Sequence, residues 1–344
     1  MYNSVIDIKK IQIDHTSRCN LACPQCARIY KNKINPSMPI SDLTIKDYKI
    51  ILEPFDNDIE IFHCGNFGDV ISSPTFIETF KYCIDKVKKI KISTNGSLRN
   101  PKWWEQLAKL GKNKLLVVFS IDGLDDTNHL YRVNSQFKKI IENATSFINA
   151  GGSAEWHFIE FKHNYHQIEE AKILAKQLGF LNFSIKYTSR FADQNKKNIE
   201  NKTGYIVKDI DNNHNQKVKK SIKDFDYYVN TTTISCKFKK QKSIFIDMNM
   251  NLWPCCWLGA PKYLHHPNKQ TDSLNFIFKK YGYDFNNLRV HNWDILHHDF
   301  FQKYLGESWI SPNEDTQRIY TCGRTCGETF EFSSGYGKNI KHEY

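Results

Sequence analysis

The sequence predicts an α/β fold in which a partial barrel of about six βα units precedes a smaller unit of one β-hairpin and helices. Between Ile11 and Arg190, short runs of β-branched or aromatic residues alternate with amphipathic stretches. This alternation is typical of βα units on a parallel sheet. From Thr231 onwards aromatic residues become frequent again, and five of the ten cysteines follow. We therefore expect a core barrel and a second unit that metal ligation stabilises.

Each βα unit is bounded by signals in the sequence. We expect strands near Ile11–His15, Ile59–Cys64, Ile90–Thr94, Leu115–Ile121, Glu155–Phe161 and Phe183–Tyr187. We expect helices at Asp42–Glu53, Pro74–Lys86, Phe137–Asn149 and Gln167–Leu178. Six such strands form most of a (β/α)6 TIM-like barrel, a fold in which ligands bind at the carboxyl ends of the strands.

Composition and charge exclude several classes of protein. The 344 residues are 40% hydrophobic and 25% charged, as in an ordinary globular protein. Although the formal net charge is +11, only eight of the 48 basic residues are Arg, so we expect no nucleic-acid partner. No segment reaches the roughly 18 apolar residues of a membrane span, and signal-peptide features are absent, so we expect a cytoplasmic protein with no membrane partner.

A group of three cysteines directly follows the first expected strand. Cys19, Cys23 and Cys26 lie in the sequence CNLACPQC. Three thiolates on a tight loop can bind three irons of a 4Fe-4S cluster and leave the fourth iron open to a substrate or cofactor. Structural zinc is the alternative, and it needs a fourth ligand such as His15.

This loop resembles the CxxxCxxC motif of the radical S-adenosylmethionine (SAM) superfamily. The sequence HCGNFGD, after the second strand, resembles the glycine-rich segment of that family that contacts the amino group of SAM. STNG and SIDG, after the next two strands, are similar to its ribose and carboxylate contacts. The resemblance implies SAM binding by Gly65, Asn66, Gly68, Asp69, Ser93, Asn95, Ser120, Asp122 and Arg132. Gln25 departs from the pattern, because the family commonly has an aromatic residue at this position that packs on the adenine of SAM. Tyr30 or Phe67 could provide that packing instead.

The later cysteines resemble the Twitch subdomain, a shorter relative of the SPASM domain that holds one auxiliary cluster. The implied ligands are Cys236, Cys255, Cys322 and Cys326, around a hairpin of Phe245–Met248 and Asn251–Trp253 in which Asn251 replaces the usual turn glycine. Zinc in this four-cysteine site remains an alternative. Cys256 follows Cys255, so in an extended segment its side chain points away from the cluster. Cys256 is then expected to be a structural thiol, and a catalytic hydrogen-atom donor is the alternative.

The resemblance implies a division of the chain. Residues 1–194 form the radical SAM core barrel, residues 195–230 a Lys- and Asn-rich linker or lid, residues 231–330 the Twitch-like unit, and residues 331–344 a C-terminal tail. The implied cofactors are SAM, the 4Fe-4S cluster that binds it, and one auxiliary 4Fe-4S cluster. The implied partners are a peptide, protein or small-molecule substrate and an external one-electron reductant of the flavodoxin or ferredoxin type.

The resemblance also implies an activity. Reductive cleavage of SAM would generate a 5′-deoxyadenosyl radical for the oxidative modification of a peptide or protein side chain. Dehydrogenation of a small polar alcohol or sugar-like metabolite is the alternative within the same chemistry. A non-catalytic metal-binding module for nucleic acid is the alternative from another class.

Overall fold

A computed structural model describes residues 4–186, 188, 198–210, 224–265, 268–310, 312, 314–328 and 340–343. Its strands are β1 Lys10–Ile13, β2 Ile29–Tyr30, β3 Lys33–Ile34, β4 Glu60–His63, β5 Lys89–Thr94, β6 Leu115–Ser120, β7 Ser153–Ile159, β8 Asn182–Lys186, β9 Asn198–Glu200, β10 Ile206–Lys208, β11 Ser243–Ile246, β12 Leu252–Trp253 and β13 Ile340–Glu343.

The described chain has α-helices both between the strands of the barrel and in the C-terminal region. The α-helices are α1 Ile45–Leu52, α2 Phe76–Ile84, α3 Pro101–Gly111, α4 Asn128–Tyr131, α5 Phe137–Asn149, α6 Ile168–Gln177, α7 Phe225–Thr231, α8 Lys237–Lys240, α9 Cys256–Gly259, α10 Lys269–Tyr281, α11 Leu288–His291, α12 Leu305–Ile310 and α13 Tyr320–Cys326. Among the described residues, no helix combines the length and apolar character needed to cross a membrane.

The predicted α/β partial barrel is confirmed. The main sheet has the strand order β12-β11-β1-β4-β5-β6-β7-β8-β13, and the six strands from β1 to β8 in this order are parallel. These are the six strands that the sequence predicts, each within two residues of its expected bounds. The carboxyl ends of these strands meet at one edge of the sheet, where the predicted site residues lie.

Side chains alternate between the two faces of the sheet. On β1, Ile11 and Ile13 are fully buried, and His15 beyond them makes a hydrogen bond of 3.0 Å to Tyr48 of α1. That face therefore packs against the helices. Because successive side chains of an extended segment point to opposite faces, Gln12 and Asp14 point away from the helices.

The C-terminal region continues the barrel sheet. β11 pairs in parallel with β1, with Ile11 opposite Ile244, and β12 pairs antiparallel with β11. The predicted hairpin therefore forms, but β11 begins two residues earlier than expected, and β12 begins one residue later and has two residues in place of three. One hydrophobic core includes residues of both the barrel and the C-terminal region. The predicted domain boundaries stay predictions.

The hairpin turn does not use Asn251 in the way that the sequence suggests. The left-handed backbone lies at Met250, with φ of 67°, rather than at Asn251. The turn is held instead by the fully buried carboxylate of Asp247, which accepts hydrogen bonds from the Asn249 and Asn251 N–H groups. It also accepts bonds from Trp253 Nε1 at 3.1 Å and from the Tyr263 hydroxyl at 2.8 Å.

Residues 195–230 contain more structure than a linker. Within this range, β9 and β10 form an antiparallel hairpin. Val207 of β10 is fully buried against Leu21, Tyr131 and Phe161. The hairpin therefore covers the first cysteine loop, and composition alone does not predict it. Much of the rest of this range lies outside the described residues, and so does most of the predicted tail, residues 331–344. Within the tail, Ile340–Glu343 pairs antiparallel with β8.

Asp247→Asn should destabilise the protein, because an amide cannot accept all the hydrogen bonds that the buried carboxylate accepts. We expect the free energy of unfolding to fall by about 2–4 kcal/mol, since buried hydrogen bonds to a charged group contribute about 1.5–3 kcal/mol each. Denaturant titration followed by circular dichroism measures this change. Asp284→Asn, at an exposed position, is the matched control. Equal stability of the two variants would contradict the role given to Asp247.

Candidate functional site

The first cysteine loop, residues 19–26, lies at the carboxyl end of β1. Sγ of Cys19 accepts hydrogen bonds from the Leu21 N–H at 3.4 Å and from Nδ2 of Asn95 at 3.7 Å. Burial, followed by the charges of Asp69, Cys23 and Cys26, raises the pKa of Cys19 to about 12. The three cysteines are therefore close neighbours in a desolvated setting. Three thiols with N–H donors to sulfur fit the donor set of an iron-sulfur cluster.

The loop after β4 packs directly on the cysteine loop. A Cβ at Gly68 would lie 2.2 Å from the carbonyl oxygen of Thr16, so this position requires glycine. The Asp69 N–H donates a hydrogen bond of 2.8 Å to the carbonyl oxygen of Arg18. Gly65 has a φ of 67°, the left-handed region that favours glycine. Both predicted glycines thus shape this contact between loops.

Asp69 joins the loops after β4 and β5. Its carboxylate accepts hydrogen bonds from Thr94 Oγ1 at 2.9 Å, from the Asn95 N–H at 2.8 Å and from the Ile71 N–H at 3.1 Å. Burial raises the pKa of Asp69 above its usual value, although these donors and Arg132 oppose the shift. The structure therefore gives Asp69 a positioning role, and its contact with SAM stays a prediction.

The STNG segment also contacts the cysteine loop. Nδ2 of Asn95 donates a hydrogen bond of 3.1 Å to Oδ1 of Asn20, and its Oδ1 accepts one of 2.9 Å from the Ser97 N–H. Ser93 is half-buried near the end of β5, and Ser120 is half-buried at the end of β6. The predicted ribose and carboxylate segments therefore occupy neighbouring strand ends.

Asp122 and Arg132 form a buried ion pair beside the cysteine loop. Oδ2 of the fully buried Asp122 accepts a hydrogen bond of 2.6 Å from Nε of Arg132, and Oδ1 accepts one of 2.7 Å from the Ile159 N–H. Burial opposes the charge of Arg132, but Asp122 and Cys23 raise the pKa of the guanidinium above its usual value. In the described part of the chain, its two terminal nitrogens make no hydrogen bond, so this fork can bind a carboxylate.

The auxiliary cysteine group, Cys236, Cys255, Cys322 and Cys326, encloses a small cavity. All four line it, whereas Cys256 does not. Cys255 has an extended backbone with φ of −162° and ψ of 163°, and Cys256 begins α9. Cys322 and Cys326 lie one turn apart on α13.

The four thiols of this group are donors of the kind that bind either an iron-sulfur cluster or zinc. Burial, and then the neighbouring thiols, raise the pKa of Cys255 and of Cys322 above the usual value. Over the described ranges, no three His, Cys, Asp or Glu side chains converge closely enough to hold a single metal ion. The auxiliary 4Fe-4S cluster stays a prediction.

Comparison with known proteins identifies the barrel. Residues 13–171 match the family model of the Radical SAM superfamily. This part of the chain is therefore similar to a radical SAM domain. A curated relative is the tungsten-containing aldehyde ferredoxin oxidoreductase cofactor-modifying protein of Pyrococcus furiosus, 24% identical over 185 residues that cover 50% of this chain and 49% of the relative. The chain spans about half the length of the curated relatives that it matches.

Solved structures share the fold of residues 13–171, and the structural similarity continues beyond this range. SuiB of Streptococcus suis, bound to its precursor peptide SuiA, has a TM-score of 0.52 and 17% identity, covering 76% of this chain and 62% of SuiB. The structure of anSMEcpe with bound AdoMet has a TM-score of 0.52 and 13% identity, covering 95% of this chain and 94% of that protein. At these identities the likeness shows the fold alone.

Two polar residues of the barrel were not predicted as site residues. Both amide atoms of Gln25 are buried and, within the described residues, have no hydrogen-bond partner. The carboxyl group of Asp14 is almost fully buried at the end of β1. Gln25 could have been identified from the sequence, because it departs from a motif. For Asp14 the only sequence feature is an acidic residue at the end of an apolar strand.

Arg132→Lys should weaken SAM binding, because Lys keeps the charge beside Asp122 but lacks the planar fork for a carboxylate. We expect a loss of about 1.5–3 kcal/mol, or roughly tenfold to hundredfold in Kd. Anaerobic equilibrium dialysis with labelled SAM measures this change. Arg289→Lys is the control, because Arg289 of α11 also forms an ion pair, with Asp47 of α1. Unchanged SAM affinity in Arg132→Lys would argue against the carboxylate site.

Proposed function

We propose that this protein is a radical SAM enzyme that oxidatively modifies a side chain of a peptide or protein. The observation that carries the proposal is the cysteine loop at the carboxyl end of β1, with the Asp122–Arg132 ion pair beside Cys23. A triad of thiols next to a carboxylate-binding guanidinium is the arrangement that SAM bound to an open iron requires. The family match of residues 13–171 supports the same chemistry.

The cluster that Cys19, Cys23 and Cys26 would hold supplies, when bound, the electron for reductive cleavage of SAM to methionine and a 5′-deoxyadenosyl radical. The chain itself positions and shields the reactants. Arg132 would orient the carboxylate of SAM, and the Gly65–Asp69 segment would offer backbone groups to its amino group. The β9–β10 hairpin, through Val207, excludes water from one side of the cysteine loop.

The auxiliary cysteine group would hold one 4Fe-4S cluster, which supplies a one-electron acceptor when bound. Such an acceptor suits oxidations in which the substrate loses a second electron after a hydrogen atom has been removed. An external reductant of the flavodoxin or ferredoxin type would supply the electron for SAM cleavage.

A peptide substrate is favoured by the relatives of the same fold. SuiB and anSMEcpe have both been solved with a peptide bound. The side of the sheet away from the helices also carries fixed polar groups that suit a polar substrate. Glu155 accepts hydrogen bonds from Lys91 Nζ at 3.1 Å and from Asn182 Nδ2 at 3.0 Å. Burial lowers the pKa of the neighbouring His157 to about 4, so this imidazole is neutral at physiological pH.

Alanine at Cys19, Cys23 and Cys26 together should halve the iron content, from about eight to about four irons per chain, and abolish reductive cleavage of SAM. Iron assay and quantification of 5′-deoxyadenosine after dithionite reduction measure the two effects. Cys83→Ala removes a buried thiol of α2, away from both cysteine groups, and is the matched control. If the triple variant still forms 5′-deoxyadenosine, the proposed function is wrong.

The adjacent residues Cys255 and Cys256 provide a second, internally controlled test. Cys255→Ala should remove about four irons and destabilise the C-terminal region, because it removes a ligand of the auxiliary group. Cys256→Ala should leave the iron content unchanged, since this residue does not line the cavity. If only Cys256→Ala loses iron, the ligand is Cys256 and not Cys255. If the purified protein contains zinc in place of iron, the alternative metal is supported.

Substrate identity can be tested with the peptides encoded by small genes beside this one. Incubation with SAM and reductant should give one of them a mass loss of two together with 5′-deoxyadenosine. The same mass loss in a small alcohol, and in none of the peptides, would favour the alternative substrate class.

A further inference from the structure

Asp14 occupies a junction between the radical SAM domain and the C-terminal region. Its N–H donates a hydrogen bond of 3.0 Å to the carbonyl oxygen of Ile246 on β11. Its Oδ1 accepts a hydrogen bond of 2.8 Å from the Asn66 N–H and a longer one of 3.6 Å from the Cys64 thiol. The residue is only 1% exposed. Two other segments of the chain therefore contact Asp14: β11 bonds to its backbone, and the loop after β4 holds its carboxyl group in place.

Only one of the two carboxyl oxygens serves this structural role. Oδ2 of Asp14 is buried and has no hydrogen-bond partner among the described residues. Leaving a buried carboxyl oxygen without a partner costs free energy, because the group has lost its hydration. The amide oxygen of Asn could accept the hydrogen bonds that Oδ1 accepts. The structural contacts alone therefore do not explain a carboxyl group at this position.

The free oxygen belongs to a residue that follows β1, at the edge of the sheet where folds of this class bind their ligands. Asp14 points away from α1, at the same edge of the sheet as the cysteine loop. Cys256 of α9 is close enough for its thiol and the Asp14 carboxyl to affect each other electrostatically. Asp14 thus lies between the segment that would bind SAM and the residue that follows the auxiliary ligand Cys255.

We propose that Asp14 accepts the proton that the substrate releases when it is oxidised. This inference rests on the proposed function. The oxidised carbon carries a heteroatom with a proton, as in an alcohol, amine or thiol. The hydrogen atom on carbon goes to the 5′-deoxyadenosyl radical and gives 5′-deoxyadenosine. The heteroatom proton goes to Oδ2 of Asp14, the remaining electron goes to an oxidised iron-sulfur acceptor, and a double bond forms between carbon and the heteroatom.

The protonation state of Asp14 suits this role at neutral pH. Burial raises its pKa to about 7, although the Asn66 and Phe67 N–H groups and the Cys64 thiol lower it in part. The groups that face it are Cys64 from the loop after β4, Cys256 from α9 and the neutral amide of Asn66. Burial raises the pKa of both thiols far above 7. Of these groups, Asp14 alone changes charge near neutral pH, and it accepts a proton only above its pKa.

Asp14→Asn tests the inference, because Asn can retain the bond from the Asn66 N–H but cannot accept a proton. The probes are the peptides encoded beside the gene, and the readout is the amount of oxidised product per 5′-deoxyadenosine. We expect this ratio to fall about a hundredfold or more, as for loss of a general base. Iron content and 5′-deoxyadenosine formation should persist. In the wild type the ratio should rise between about pH 6 and about pH 8, and in Asp14→Asn it should be low and flat.

A second readout needs no turnover. Infrared difference spectra between the resting wild type and Asp14→Asn should contain a carboxylic acid band that is lost as the pH rises through about 7. A band that titrates near the ordinary aspartate value, about 3.9, would overturn the inference. Asp14→Glu, which keeps a carboxyl group, should recover part of the product.

The remaining outcomes separate the two proposals. If the wild type forms no 5′-deoxyadenosine, or oxidises none of the probes, the proposed function fails and the role of Asp14 fails with it. If the wild type oxidises a probe and Asp14→Asn does so equally well at every pH, only the role of Asp14 is overturned. If Asp14→Asn loses iron and 5′-deoxyadenosine together, Asp14 is a structural residue of the cysteine loop and the inference is wrong.

Discussion

The close packing of the loops after β1, β4 and β5 is the constraint on which the site depends. Gly68 allows the second loop to approach the carbonyl oxygen of Thr16, and Asp69 bonds both to the first loop and to the third. Asp14 adds a further bond between the first two loops through the Asn66 N–H. Because these bonds are buried, the cysteine loop has a fixed position before any cofactor binds, which reduces the ordering cost of binding.

Burial of charge follows from this packing and shapes the chemistry of the site. Asp69 and Asp122 are buried carboxylates close to Arg132, which lies beside Cys23. Such an arrangement suits a zwitterionic ligand, because it offers a cation for a carboxylate and places negative charge near an amino group. Asp14 is different, since its pKa near 7 keeps a proton acceptor available in a region that excludes water.

Local patterns in the sequence predict most of the barrel. Six strands and the cysteine loop follow from short-range signals, since apolar alternation, helix ends and strand-end motifs are all local. The pairing of β11 with β1 joins Ile244 to Ile11 and cannot be predicted from either segment alone. The β9–β10 hairpin is not predicted from the sequence, because only a few apolar residues such as Val207 form its packing contacts within a Lys- and Asn-rich stretch. Asp14 belongs to no motif, and only the tertiary fold shows that it is buried.

The proposed function requires that the first cysteine loop holds a cluster to which SAM binds directly. Electron paramagnetic resonance of the anaerobic, dithionite-reduced protein, recorded before and after SAM addition, tests this requirement. We expect reduced iron-sulfur signals of which one changes shape with SAM, while the signal from the auxiliary cysteine group does not change. Iron signals that SAM leaves unchanged, or a protein that binds zinc and no iron, would contradict it.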